Sequence, residues 1–172
     1  MTTNRQIYIE NTDTIDSLGY TPLSPKYIKV SITGIAAGYI AVMVLLPIIL
    51  LSDFEYRDIA VPAGEITLAI ALIMNLLMAR AICRFKGYAL REHDITYRSG
   101  IIFPKTTTMP FNKIQQVSIR QGLISRIFGL YTVEILNGSQ KAMSQISIPG
   151  LSKQEAENLK ATLLQKSEYA GN

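Results

Sequence analysis

The only histidine of the chain, His93, is the side chain best suited to acid–base or metal chemistry, and it lies between Glu92 and Asp94. An imidazole beside a carboxylate can move protons, and with further His or Cys ligands it can hold zinc. The chain has a single Cys, Cys83, so a zinc site has too few ligands, and a catalytic triad would need a serine that only folding could bring to His93. We therefore expect no enzyme, no metal and no cofactor, with His93 in an exposed turn.

Anion-binding chemistry has more support, because the second half of the chain is basic. Residues 80–172 contain thirteen Lys or Arg and six Asp or Glu, whereas residues 1–79 contain four and seven. Such a region is attracted to an anionic leaflet or to nucleic acid. The basic residues are spread and not interleaved with aromatic residues, which favours the leaflet over a discrete head-group pocket or nucleic acid. The candidates for contact with lipid or a partner are Arg98, Lys105, Lys113, Arg120, Gln121 and Arg126.

The segment Val30–Leu51 has the length and composition of a membrane-spanning helix. Its twenty-two residues include no Asp, Glu, Lys, Arg or His. As a helix they would extend about 33 Å, against about 30 Å for the hydrocarbon core of a bilayer. The alternatives are a buried helix of a soluble protein and a cleaved signal peptide. The long polar segment before it and the lack of a cleavage pattern after it disfavour the signal peptide.

Residues 60–83 are predicted to form a second spanning helix, with a re-entrant segment as the alternative. The short loop between the two helices is acidic, whereas Lys and Arg flank the outer ends of the hairpin. Because positive residues stay on the cytoplasmic side, both termini are predicted to be cytoplasmic and the protein to be multi-pass. The hairpin is assigned to residues 26–84. The polar segment 1–25 before it either is disordered or packs on the rest of the protein.

Three residues of the hairpin are predicted to act in helix packing. Gly34 and Gly38 form a Gly-x-x-x-Gly pattern, which lets another helix approach closely. We expect that pattern to pack against the second helix, with homodimerisation as the alternative. Asn75 is a polar residue at membrane depth, and we expect it to form a hydrogen bond within the hairpin rather than to serve as a transport site.

The second half of the chain alternates with the period of β-strands and ends in an amphipathic helix. Ser152 and Glu155 form a capping box at the start of that helix, which is predicted to end near Lys166. Several antiparallel strands and one helix predict a small α+β domain over residues 85–167, followed by a tail at 168–172. Gly87–Asp94 is predicted to form a strand followed by a turn. The other predicted strands are Ile95–Phe103, Thr106–Pro110, Ile114–Gln121, Leu130–Leu136 and Ala142–Ile148, with a bend at Gly100 and a hairpin turn at Asn137-Gly138.

A set of residues between 28 and 166 resembles the YdbS-like bacterial pleckstrin-homology (PH) family. These residues are Ile95–Ile101, Pro110, Ile114-Gln115-x-Val117, Gln121-Gly122, Arg126-x-Phe128-Gly129-Leu130, Val133 and Ile148-x-Gly150-Leu151. The resemblance implies two transmembrane helices followed by a PH-like domain, in which two packed antiparallel sheets form a sandwich or partly open barrel closed by a C-terminal helix. It also implies seven strands, one more than the pattern predicts, and we expect the seventh within a stretch merged above.

These observations predict a protein of the bacterial cytoplasmic membrane that acts as a membrane-tethered protein-interaction or scaffolding module. Its partners would be the anionic inner leaflet and either a membrane protein or a second copy. The interaction surface is expected at an exposed sheet edge or at the segment Gln121–Gly129. The first alternative is sensing of anionic lipid or cell-envelope stress by the PH-like domain, and the second is an unrecognised transporter component.

Overall fold

The computed structural model describes residues 19–50, 57–137 and 145–171. Predictions for the polar segment before Gly19, for the loop between the two long helices and for the hairpin turn at Asn137-Gly138 lie wholly or partly outside these residues. The helices are α1 (Lys26–Leu50), α2 (Arg57–Phe85), α3 (Leu123–Ile127) and α4 (Lys153–Gly171). The strands are β1 (Thr21–Pro22), β2 (Gly87–Leu90), β3 (Asp94–Ser99), β4 (Lys105–Pro110), β5 (Ile114–Arg120), β6 (Tyr131–Asn137) and β7 (Gln145–Leu151), with a one-turn 3₁₀ helix at Phe111–Lys113.

The helices α1 and α2 are long and apolar enough to cross a membrane and pack against each other as a hairpin. Their outer faces do not pack on protein: Ile40 is 57% and Leu77 69% exposed. A soluble protein would bury such faces, because apolar area in contact with water is unfavourable. The hairpin closes tightly at Gly64, where a Cβ would lie 3.0 Å from Leu46 Cδ2.

The strands form two antiparallel sheets, as the resemblance implied. One sheet has the order β1-β2-β3-β4 and the other the order β5-β6-β7. The two sheets do not join into a closed barrel. Their inner faces meet around Ile95, Phe111, Val133, Ile135 and Ile148, each at most 1% exposed. The predicted α+β PH-like architecture is confirmed.

The seventh strand is not where it was expected. It is β1, Thr21–Pro22, which lies before the hairpin in sequence and pairs with Tyr88 and Gly87 of β2 after it. The first sheet therefore combines a strand that precedes the hairpin in sequence with strands that follow it. The prediction that the missing strand lay within a merged stretch was wrong, because a strand of two residues has no periodicity to detect.

The C-terminal helix α4 covers the second sheet and begins with the predicted capping box. The backbone N–H of Ser152 donates to Glu155 Oε2 at 2.7 Å, and the N–H of Glu155 donates to Ser152 Oγ at 3.3 Å. Ala156, Leu159 and Leu163 are buried in the core. The helix continues to Gly171, so the predicted end near Lys166 and the separate tail at 168–172 were wrong. Tyr169 lies in this last part of the helix and is exposed.

Candidate functional site: the hairpin-proximal end of the sheet domain

The two sheets have one end beside the hairpin and one end away from it. Gly87 starts β2 two residues after α2 ends, and Pro22 ends β1 four residues before α1 begins. Strand pairing places Ser99 and Lys105 at this end of the first sheet, and it places Arg120, Tyr131 and Leu151 together at one end of the second sheet. The contacts of Gly150 with Ser24 and Tyr27 show that this end of the second sheet also lies beside the hairpin. We call this side, with the loops attached to it, the hairpin-proximal end. The opposite side, with the 91–93 turn and the 3₁₀ helix, is the distal end.

The end of β7 fixes the domain to the first turn of α1. The backbone N–H of Ser24 donates to the carbonyl of Gly150 at 3.2 Å. Gly150 has φ of +75°, and a Cβ there would lie 2.7 Å from Tyr27 Cβ and 2.8 Å from Tyr27 Cγ. Only glycine fits this position, because any side chain would meet both the left-handed backbone penalty and the tyrosine. The orientation of the domain relative to the hairpin is therefore set by direct packing.

A buried polar junction lies between α1, α2 and β3. Lys86 Nζ donates to Tyr27 Oη at 3.4 Å and lies 5.2 Å from the centre of the Tyr27 ring. Cys83 is buried in the same region. Burial raises the pKa of Tyr97, and the neighbouring Tyr27 and Cys83 add to the rise. The Tyr97 phenol therefore stays neutral at physiological pH and acts as part of the packing.

Arg98 is held between two aromatic rings at the hairpin-proximal end. Its guanidinium carbon lies 4.2 Å from the centre of the Tyr20 ring and 4.3 Å from that of Phe85. Its Nε is buried and has no hydrogen-bond partner among the described residues. Stacked guanidinium groups are attracted by the ring quadrupoles. Arg98 therefore links the segment before α1 to the end of α2, in a position that suits packing better than contact with a head group.

The other predicted surface residues are distributed unevenly between the two ends. Arg120 donates from Nη1 to Glu134 Oε1 at 3.1 Å across the β5–β6 pair. Gln121 follows β5 at the hairpin-proximal end, and Arg126 lies in α3. Lys105 and Arg126 are exposed and form no ion pair within the described residues. Lys113 is exposed at the distal end, so the structure does not bring it together with the others.

The two glycines of the Gly-x-x-x-Gly pattern have different neighbours. A Cβ at Gly34 would lie 3.4 Å from Ile124 Cδ1 of α3, whereas a Cβ at Gly38 would meet nothing within 4 Å. The described contacts thus place α3, and not α2, against Gly34. Gly34 therefore makes an intramolecular contact, as predicted, but with α3 instead of α2. The close approach of α1 and α2 is at Gly64.

Asn75 forms the hydrogen bond predicted within the hairpin. Its Nδ2 donates to Tyr39 Oη of α1 at 2.9 Å and to the carbonyl of Ala71 at 3.0 Å. Both donor hydrogens are thus used, as expected for an amide at a depth where water is scarce.

Exposed apolar side chains at the hairpin-proximal end were missed by the sequence reasoning. In the loop from β3 to β4, Ile102 is 64% and Phe103 86% exposed. In α3, Leu123 is 87% and Ile127 77% exposed. Ile102 and Phe103 were predicted to continue the strand Ile95–Phe103, whereas β3 ends at Ser99. The signal in the sequence is that GIIFPK and the connection GLISRIFG are richer in large apolar residues than a solvated loop needs to be.

The distal end is polar and carries His93. Its main feature is an open cleft of about 480 Å³ lined by Gly19 and residues 89–94. The predicted exposed turn is confirmed, with His93 exposed and its carbonyl accepting from the N–H of Phe111 at 3.0 Å. Within the described residues, no three His, Cys, Asp or Glu side chains come together as a metal site.

Comparison with known proteins agrees with this architecture. The family model described as "Bacterial PH domain" matches residues 17–167, a range that includes β1, the hairpin and both sheets. The chain is 24% identical over 144 residues to the UPF0699 transmembrane protein YdbS of Bacillus subtilis (strain 168), covering 82% of this chain and 88% of that protein. No solved structure matches it significantly. With two exposed apolar helices and a match to a transmembrane relative, this is a membrane protein with a PH-like domain, and the chain belongs to the bacterial PH domain family.

Proposed function

We propose that this protein is a membrane-tethered interaction module, which holds a protein partner at a fixed orientation to the bilayer. The observation that carries the proposal is the rigid attachment of the domain to both helices, through Gly150 against Tyr27 and through Arg98 against Phe85. A tether that only concentrated the domain at the membrane would need no such packing. Fixed orientation is useful when a bound partner must be positioned relative to the membrane.

The placement of Lys and Arg supports a bacterial cytoplasmic membrane with both termini in the cytoplasm. In that orientation the domain lies on the cytoplasmic side, and the short segment between α1 and α2 lies outside. We propose a non-enzymatic role, because the residues that line the distal cleft include a single histidine and no Ser, Thr, Cys or Lys that it could activate as a nucleophile.

The edge of β4 is the surface best suited to a protein partner. Within the described residues β4 pairs with β3 alone, and its other edge is free of strand partners. Lys105 and Pro110 at its two ends are residue types that limit indiscriminate pairing of sheet edges. Between them lie three threonines, Thr106–Thr108, which favour extended structure. A strand or extended segment of a partner can add to this edge by backbone hydrogen bonds.

Photo-cross-linking in native membranes tests this function. A benzoyl-phenylalanine introduced at Thr106 on the β4 edge should give a cross-linked protein product of discrete mass. The matched control is the same probe at Glu157, which is exposed on α4. If Thr106 and Glu157 give the same products, or Thr106 gives none at native expression level, the interaction module is the wrong assignment.

Recognition of anionic lipid is a second candidate, favoured by the position of Lys105 and Arg126. Both are exposed cations at the hairpin-proximal end, and each adds about 1 kcal/mol of attraction to an anionic surface. They lie on different segments, which supports a general attraction to the leaflet more than a built head-group pocket. Lipid mass spectrometry of the purified protein, comparing wild type with a Lys105→Ala/Arg126→Ala variant, tests whether one anionic lipid is enriched.

A further inference from the structure

We propose that the hairpin-proximal end of the domain enters the bilayer itself, through two apolar groups that lie outside the spanning helices. The first group is Leu123 and Ile127 of α3, and the second is Ile102 and Phe103 of the β3–β4 loop. Their exposed fractions are 87%, 77%, 64% and 86% respectively. The occupant of this surface is the lipid of the leaflet next to the domain.

The contact between α3 and α1 gives the depth of the first group. Ile124 Cδ1 lies 3.4 Å from the position of a Cβ on Gly34, so α3 is at the level of Gly34. Gly34 is five residues beyond Lys29, the last charged residue before the apolar part of α1, which corresponds to about 7.5 Å along the helix axis. Helices that lie in a membrane interface bury their apolar face about 5–10 Å into the boundary of head groups and acyl chains. The position of α3 falls within that range.

The face of α3 that does not touch α1 is apolar in the pattern expected of an interfacial helix. Leu123 and Ile127 are four residues apart and therefore lie on the same side. Arg126 is exposed beside Ile127, and its long side chain can reach from this depth to the phosphate layer.

The β3–β4 loop repeats the same combination beside α2. Arg98 at the end of β3 stacks on Phe85, the last residue of α2, so the loop leaves the sheet next to the end of that helix. Gly100 has φ of +81°, which turns the chain and presents Ile102 and Phe103 at the tip. Lys105 follows the tip as the first residue of β4 and is exposed. Each apolar group thus has a free cation close to it in sequence.

A second copy of the chain is the competing occupant, because an apolar groove of about 570 Å³ lies between α1 and α3. The groove is lined by Val30, Gly34, Ile35, Leu123 and Ile124 among others. A helix from a second copy would cover this groove but would leave the β3–β4 loop exposed. A bilayer surface covers both apolar groups at once and is continuous with the lipid around α1 and α2.

The chain contains no Trp, so a single introduced Trp reports its own environment. The experiment uses the full-length protein at low density in vesicles of phosphatidylethanolamine and phosphatidylglycerol. Three variants are compared: Ile127→Trp in α3, Phe103→Trp in the loop, and Lys113→Trp at the distal end as the control. Lipids brominated at shallow acyl positions quench a Trp that reaches the acyl boundary, and acrylamide quenches one that is in water.

We expect shallow bromolipids to reduce the emission of Ile127→Trp and Phe103→Trp by at least twofold, with a blue shift, while Lys113→Trp is quenched only by acrylamide. If both probes behave like Lys113→Trp, the domain stays in water and the proposal is overturned. A blue shift without bromolipid quenching would mean that protein covers the surface, which also overturns it. The vesicles contain no other protein, so either result is independent of the cross-linking at the β4 edge.

Discussion

The two ends of the sheet domain carry different kinds of residue, although the same strands run between them. At the hairpin-proximal end, Gly150 accommodates Tyr27, Arg98 stacks on two rings, and large apolar side chains are exposed. At the distal end, an open polar cleft surrounds His93. His93, the side chain best suited to acid–base chemistry, thus lies at the end of the domain away from the membrane helices. The specific contacts with α1 and α2 lie at the hairpin-proximal end, so that end sets how the domain is held against the membrane helices.

The largest effect is expected from placing a side chain at Gly150. In Gly150→Ala the left-handed backbone costs about 1–2 kcal/mol and the clash of the added Cβ with Tyr27 about 1–3 kcal/mol more, so the domain should separate from α1 and lose stability. The matched control is Gly129→Ala, where φ is +65° but no atom lies within 4 Å of the added Cβ. That control should lose only the backbone contribution. Urea unfolding of both variants in detergent micelles, followed by circular dichroism, measures the difference.

Equal losses of stability in Gly150→Ala and Gly129→Ala would show that the contact with Tyr27 contributes nothing. The domain would then be attached to the hairpin by its connecting chain alone. Limited proteolysis between Phe85 and Gly87 provides an independent check, since a separated domain should expose that connection.

The hairpin, the strands of the second half and the capped helix could be predicted from sequence because each has a long, regular pattern. The strand β1 could not be predicted, because its two residues are too few to show a periodic pattern. They also pair with a strand that follows the hairpin in sequence. Gly34 was correctly identified as a close-packing position, but a glycine pattern does not specify which element approaches it. The four exposed apolar residues were not recognised because Ile102 and Phe103 were assigned to the predicted strand Ile95–Phe103, and Leu123 and Ile127 to a connection between strands. Exposed apolar residues are common one at a time, and only their position in three dimensions makes these four significant.

A second comparison concerns the stability that a packed cation, Arg98, and a surface cation, Arg120, each contribute. Arg98→Ala should lose about 1–4 kcal/mol, since two ring contacts of about 0.5–2 kcal/mol each are removed. Arg120→Ala should lose at most about 1 kcal/mol, because the Arg120 side chain in the ion pair with Glu134 is 71% exposed and therefore screened by water. The same unfolding measurement in micelles compares the two variants.

Arg98→Lys decides whether charge or stacking matters at this position. A lysine keeps the positive charge but lacks the planar group that lies between Tyr20 and Phe85. We expect Arg98→Lys to lose most of the stability that Arg98→Ala loses. Full stability in Arg98→Lys, with less anionic lipid co-purified with Arg98→Ala alone, would return Arg98 to the set of lipid-contacting cations.

The smallest effect is expected from the phenol of Tyr97 and appears only in alkali. Burial raises the pKa of Tyr97 above its ordinary value of 10.0, so the folded protein keeps a proton that the unfolded chain releases. The stability linked to this group is complete below pH 10 and decreases as the pH rises above it. Tyr97→Phe has no proton to lose, so its unfolding free energy should fall less between pH 8 and about pH 11 than that of the wild type. The matched control is Tyr169→Phe, because Tyr169 is 77% exposed on α4. If Tyr169→Phe flattens the alkaline decrease as much as Tyr97→Phe does, the decrease does not arise at the junction of the domain with the hairpin.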